Sequence, residues 1–221
     1  MNTFTVLFYM MTGIECLLLI PFTLHYRLLD RTEKWAYYYL ISSVIFAVGS
    51  SVLGIIYYNN LWFNSIMYLI QFIILSVYYS LLIKNTLVKK AIKILVLPAV
   101  FIFFLDFFKL EGMLAFNSIF ATIKIFLVLC YGIIFFIQLL FDEELIKGSI
   151  FINSLPNFWF NSGLFIYLCC AFLNALTYNF YLSHAATKAS RLIVLSLIFT
   201  SGIIEAILFY IGLMKAKKLR A

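Results

Sequence analysis

The sequence predicts an all-α polytopic membrane protein, a single bundle of seven transmembrane helices over residues 1–221 with no extramembrane domain. Three observations predict it. Hydrophobic residues make up 65% of the chain and charged residues 11%, against roughly 25% charged in a soluble domain. A soluble globule of this length would have too little charge to cover its surface. Mean hydropathy is +1.07, which excludes a disordered chain. Apolar blocks of about 20 residues recur along the whole sequence, long enough to cross ~30 Å of hydrocarbon. The net charge of +7 does not point to nucleic acid, because the basic residues are scattered between apolar blocks.

The spans fall at about 4–25, 35–57, 61–83, 91–108, 114–140, 158–181 and 192–214. The first has no basic leader and no small-residue cleavage site, so it is expected to insert as a mature helix, with Arg27 and Arg31 holding its end. No charge occurs between Lys34 and Lys84, which fits the second and third spans joined by a tight turn at Tyr57, Tyr58, Asn59 and Asn60. The fourth is short and contains Pro98. Its helix is expected to begin nearer Leu87, with Lys89, Lys90 and Lys93 snorkelling to the interface. The loop at 142–157 opens with Asp142, Glu143 and Glu144 and then turns apolar, reading as a connector that can lie on the membrane surface. Pro156 and Asn157 start the sixth span. The seventh ends in Lys215, Lys217, Lys218 and Arg220, a stop-transfer cluster that also touches anionic lipid. Trp35, Trp62 and Trp159 fall at span ends, where aromatic belts lie.

Basic residues in short loops set the orientation. With the N-terminus outside, twelve lie inside: Arg27, Arg31, Lys34, Lys84, Lys89, Lys90, Lys93, Lys147, Lys215, Lys217, Lys218 and Arg220. Three lie outside: Lys109, Lys188 and Arg191. The expectation is an integral protein of a bacterial cytoplasmic membrane, N-terminus outside and C-terminus cytoplasmic.

Function is expected where the spans break the apolar rule. Glu15, Asp106, Lys124 and Glu205 stand in or near them, each costing about 2.5–3.5 kcal/mol at a helix centre. Lys124 lies about ten residues into its span, or ~15 Å deep at 1.5 Å per residue. That puts it level with Glu15 and Glu205, and it is expected to pair with one of them. If the first and seventh helices are neighbours, the two glutamates share one site. Polar residues also recur every seven positions. The fifth span carries Asn117, Lys124, Tyr131 and Gln138; the third Asn64, Gln71, Tyr78 and Asn85; the sixth Tyr167, Asn174 and Tyr181. A seven-residue step drifts only about 20°, so each set forms one face. Such faces line a cavity or bond helix to helix. The candidate ligand-binding or ion-pathway set is therefore Glu15, Asp106, Lys124 and Glu205, with Asn64, Gln71, Asn117, Tyr131 and Asn174.

Small residues at helix-packing spacing, among them Ala171 with Ala175 and Gly202 with Ala206, predict close contacts. Ser201 and Gly202 lie one turn before Glu205, so another backbone is expected near that carboxylate. No cofactor, metal or catalytic residue is predicted. Cys16, Cys130, Cys169 and Cys170 lack any metal-ligand spacing, and His25 and His184 fall at opposite faces. Hydrolase, zinc-protease and phosphate-loop motifs are absent. The last span has no mid-helix lysine for retinal, and no inverted repeat marks a transporter.

Residues 152–167, with Pro156, Phe158, Trp159, Gly163 and Tyr167, resemble a Pro-x-Phe-Trp-x-x-x-Gly-x-x-x-Tyr signature. It is associated with small, uncharacterised seven-helix membrane proteins common in Bacteroidota. Residues 64–72 are similar to that family's Tyr-Asn-x-Tyr-x-x-x-Glu-Phe pattern, with Gln71 where Glu is usual. The last span, closing at Tyr210 to Lys215, fits as well. The resemblance covers nearly the whole chain and implies an association with sensor-kinase systems.

The first functional expectation is a non-enzymatic sensory or signal-relay module. Its partners would be the bilayer and an intracellular protein reached through 84–93, 142–157 or the C-terminal tail. The alternative is an ion channel or transporter with a polar pore, as a homo-oligomer, or the membrane effector of a defence system. A third reading is a lipid-modifying enzyme using Glu15 and Glu205 as acid and base. A nucleic-acid partner is not expected.

Overall fold

A computed structural model describes residues 3–143, 151–183 and 188–220. Among them all regular structure is helical. The long helices are α1 (Thr3–Leu24), α2 (Arg31–Tyr57), α3 (Leu61–Leu82), α4 (Thr86–Leu105), α5 (Ser118–Leu140), α6 (Pro156–Ser183) and α7 (Lys188–Arg220). Six are long and apolar enough to cross a membrane, and α1 adds a shorter apolar stretch, Tyr9–Leu24. This fits an integral helical membrane bundle.

Helix ends differ from the sequence reading because polar side chains set them. α2 begins at Arg31 rather than 35. The Asp30 carboxylate accepts the Glu33 N–H at 2.7 Å, and the Glu33 carboxylate accepts the Asp30 N–H at 2.8 Å, a reciprocal cap. It ends on Tyr58 in the left-handed region, φ 59°. α4 begins at Thr86 because the Asn85 side chain accepts the Leu87 and Val88 N–H groups. It passes Pro98, runs to Leu105 and widens into a π-helical turn, Asp106–Leu110. α5 starts at Ser118 rather than 114, after a turn through Gly112 at φ +88°. α7 continues past 214 to Arg220, with basic residues in its last turn where the helix dipole favours them.

α1, α2, α3, α5, α6 and α7 form a closed ring, each packed on the next and α7 on α1. α4 stands outside the ring against α3 and α5, and only Ile92, Ala99 and Phe103 of it are buried. The ring interior is aromatic, with Phe22, Phe72, Tyr78, Tyr79, Phe120, Phe160 and Phe209 fully enclosed. In the 142–157 loop, Asp142 pairs with Lys84 at 3.0 Å and a short 3-10 turn, Ile152–Ser154, precedes Pro156. Residues 144–150, including Glu144 and Lys147, lie outside the described residues, as does His184.

Candidate functional site

The polar stripe of α5 faces α3 along its length. Asn117 meets Ser65, Lys124 meets Gln71, Tyr131 packs on Tyr79 with ring centroids 5.9 Å apart, and Gln138 meets the end of α3. Both numberings rise together, so α3 and α5 run parallel. At the far end the Gln138 side-chain oxygen accepts the Lys84 N–H at 2.5 Å, closing α3.

Lys124 does not pair with a glutamate. It is 4% exposed. Its ammonium donates to Gln71 Oε1 at 3.1 Å and stands 4.5 Å from the centroid of the Tyr68 ring. The stripe that carries it looks at α3, whereas Glu15 and Glu205 lie on α1 and α7 across the ring. A neutral amide oxygen and a π face therefore hold the charge where a carboxylate was expected.

Glu15 and Glu205 line one small cavity with Tyr39, Ser43 and Phe209. Glu15 accepts from Ser43 Oγ at 3.1 Å. Glu205 Oε1 is buried with no hydrogen-bond partner. Two glycines bring neighbouring helices close. Met11 of α1 sits where a Cβ on Gly202 would stand, at 2.6 Å. On α6, a Cβ on Gly163 would lie 3.1 Å from the Glu205 carbonyl oxygen. Gly163 thus lets α6 lie against the α7 backbone at Glu205, whereas Gly202 meets the Met11 side chain and not the backbone expected there.

A cavity of about 320 Å³ lies inside the ring beside Glu15. Its walls include Glu15, Ser43, Tyr68, Gln71, Tyr167 and Asn174. A second space of about 80 Å³ shares Tyr68, Gln71, Tyr167 and Asn174 and adds Lys124 and Tyr39. The two are adjacent through these shared residues, Lys124 lining the smaller and Glu15 the larger. The larger extends toward Met11, Ser50, Leu61 and Leu195, the end where α1, α3 and α7 begin. Asn64 lies there, its side-chain oxygen buried and without a partner.

The opposite end is closed. Phe22, Phe160 and Phe209 form an aromatic plug, with centroids 5.2 Å apart for Phe160 and Phe209 and 5.9 Å for Phe22 and Phe160. Beyond it, the Arg220 guanidinium donates to the Leu28 carbonyl at 2.7 Å, to both Glu33 carboxylate oxygens, and to Asp30 at 3.3 Å. Arg220 is therefore a clasp between α7 and the α1–α2 turn rather than a lipid contact.

Three members of the candidate set stand apart from the cavity. The buried Asp106 carboxylate accepts the Phe120 N–H at 2.9 Å, capping α5 from across the α4–α5 connection. Glu111 adds a second cap there, accepting from the Ser118 N–H and, at 2.6 Å, from its hydroxyl. Asn117 tightens the same connection. In the amide orientation that satisfies its neighbours, it donates to Ala115 O and Ser65 Oγ and accepts the Phe107 N–H at 3.0 Å. Tyr131 is buried between α5 and α3, its hydroxyl without a partner. Asn161 was not singled out by the sequence reading. It accepts the Tyr79 hydroxyl at 2.6 Å and donates to Gly132 O at 3.3 Å, tying α3, α5 and α6 together. The available signal was an Asn in an apolar span, between Pro156 and Gly163.

Among the described residues no group of three or more His, Cys, Asp or Glu side chains is placed to hold a metal. Compared with known protein families, curated proteins and solved structures, the chain shows no match to any.

Proposed function

We propose that the chain is a seven-span, non-enzymatic receptor or signal-relay module of a bacterial cytoplasmic membrane, N-terminus outside and C-terminus cytoplasmic. The observation that carries this reading is a group of neighbouring cavities inside the ring, one lined by Lys124, one by Glu15, and a small one by both Glu15 and Glu205, with Phe22, Phe160 and Phe209 packed together at one end. The excess of basic residues at the blocked end makes that end the cytoplasmic one. A ligand then reaches the cavity from outside. Its chemistry follows from the walls: a small molecule with an anionic group for Lys124 and a cationic group for Glu15 and Glu205, as in an amino acid or a betaine.

α7 is the relay element. It carries Glu205 at the cavity and Arg220 at the inner clasp, about 22 Å apart at 1.5 Å per residue. A ligand that binds one α7 position better than another shifts the clasp, and only that difference in affinity does the work. The partner that senses the shift docks on the inner face, where 84–93 and the end of α7 lie. The resemblance to proteins associated with sensor kinases is in keeping with this role. A pore along the same cavity requires the aromatic plug to open, so the channel reading is second.

Thermal unfolding of the detergent-purified protein, titrated with a panel of amino acids and betaines, tests the proposal. The expected result is a stabilising compound whose effect disappears in Lys124→Ala and in Glu205→Gln. Stabilisation that persists unchanged in both variants removes these residues from the site. Ion flux through liposomes containing the protein would transfer the cavity to the channel reading.

A further inference from the structure

We propose that a groove between α3 and α4 binds one anionic phospholipid, its phosphate held between Arg31 and Lys93. The groove has a volume of about 320 Å³ and lies on the outside of the helix ring, because α4 packs on the ring from outside. Its occupant therefore comes from the bilayer and not from the central cavity. This site is independent of the receptor reading.

Its chemistry is divided along its length. Arg31, at the start of α2, and Lys93, on α4, supply two exposed cations, near Ser80 close to the end of α3. Ile73, Val77 and Val96 form an apolar wall further from that end. A head group at the cations and an acyl chain along the wall match this order. Ser76 also lines the groove; its hydroxyl is buried and has no partner, leaving a donor for a glycerol or ester oxygen.

Among the described residues no acidic side chain pairs with these two cations. Asp30 and Glu33 hold Arg220, and Asp142 holds Lys84. Among the described residues neither Arg31 nor Lys93 has an ion pair or a side-chain hydrogen bond. A phosphate diester between them gains charge-assisted hydrogen bonds, with Arg able to bind two oxygens at once. Basic pockets between membrane helices recognise anionic head groups in this way. A free phosphate would use the cations but leave the apolar wall in contact with nothing of its own kind.

Native mass spectrometry of the full chain, released from detergent supplemented with phosphatidylglycerol or phosphatidylcholine of equal chain length, tests the site. The wild type is expected to retain one phosphatidylglycerol and much less phosphatidylcholine. Arg31→Ala with Lys93→Ala should lower retention by about tenfold or more, while Lys89→Ala with Lys90→Ala should not. Val96→Trp fills the groove with both cations in place and should also expel the lipid, which covers the case in which the double variant fails to fold. Equal retention of the two lipids overturns the proposal, as does unchanged retention in both the cation and the Val96→Trp variants. Displacement of the lipid by millimolar inorganic phosphate would assign the cations to a free anion and overturn it too.

Discussion

Lys124 of α5 rests its ammonium on the Gln71 side-chain oxygen of α3 at 3.1 Å, with the Tyr68 ring as its second support. The amide oxygen is a neutral acceptor, so it brings no counter-charge to the buried Lys124 nitrogen. A carboxylate in place of the amide would neutralise it.

Removing the amide is therefore costly. Gln71→Leu strands a buried donor, a loss of about 1–3 kcal/mol or more for a charged group. At about 2–4 °C per kcal/mol for a chain of this size, the melting temperature should fall by several degrees. Gln71→Glu should fold with a melting temperature at or above wild type, yet lose the stabilising ligand, since the new carboxylate occupies the ammonium. Adding Lys124→Met to Gln71→Leu should recover most of the lost stability. Thermal unfolding of the wild type, Gln71→Leu, Lys124→Met and the double variant forms a double-mutant cycle that measures the coupling.

The length and number of apolar runs were legible because the hydrocarbon thickness sets them. The charge-free stretch from Lys34 to Lys84 could hold little else than α2, a turn and α3. The helix starts at Arg31 and Thr86 were harder to read. They depend on Asp30 and Asn85 folding back on the backbone, which hydropathy does not report. The seven-residue stripe placed Asn117, Lys124, Tyr131 and Gln138 on one face, but a stripe does not name the helix it faces. That choice was made by α3 lying beside α5 with α4 pushed outside. Arg220 meets Glu33 across 187 positions, and a terminal basic cluster looks the same in sequence whether its last member meets lipid or a carboxylate.

Asp106 and Glu111 serve the start of α5, so their loss should be local. Asp106→Ala removes one capping acceptor, about 1 kcal/mol, together with an anion at the positive end of the helix dipole. Hydrogen exchange at the amides of Ser118 to Ala121 should quicken, and exchange around Glu15 and Glu205 should not. Equal acceleration at both places would return Asp106 to the cavity.

The Arg220 clasp should protect the end of α7. Glu33 is fully buried, and Arg220→Ala leaves its carboxylate without its bidentate partner. Breaking such a pair costs about 3 kcal/mol. Trypsin should then cut at the exposed Lys217 and Lys218 faster than in wild type, because the last turn frays. Arg220→Lys, a single point donor, should fall between the two. Cleavage at the wild-type rate in Arg220→Ala would mean that packing alone holds the helix end.

Reporter fusions check the orientation. A fluorescent protein that folds only in the cytoplasm should light up when fused after Ala221. A phosphatase that is active only outside should stay inactive there. The reverse pattern would place the aromatic plug on the outer side and the cavity toward the cytoplasm.

Gly163 ties the packing of α6 on α7 to the site. Its hydrogen lets α6 lie against the backbone of α7 at Glu205, and a Cβ there would stand 3.1 Å from the Glu205 carbonyl and 3.2 Å from the Phe209 ring. Both neighbours matter, since Glu205 faces the cavity and Phe209 belongs to the plug. On another side of α7 the Met11 side chain of α1 packs on Gly202. Gly163→Ala should cost about 1–3 kcal/mol as an overpacked contact, less the helix-propensity gain of about 1 kcal/mol for Ala over Gly. It should therefore fold with a slightly lowered melting temperature. Gly163→Leu must push α6 from α7, parting Phe160 from Phe209 and moving Glu205. Ligand stabilisation should disappear in the Leu variant and weaken in the Ala variant. A Leu variant that keeps wild-type ligand stabilisation would show that the α6–α7 contact does not shape the site.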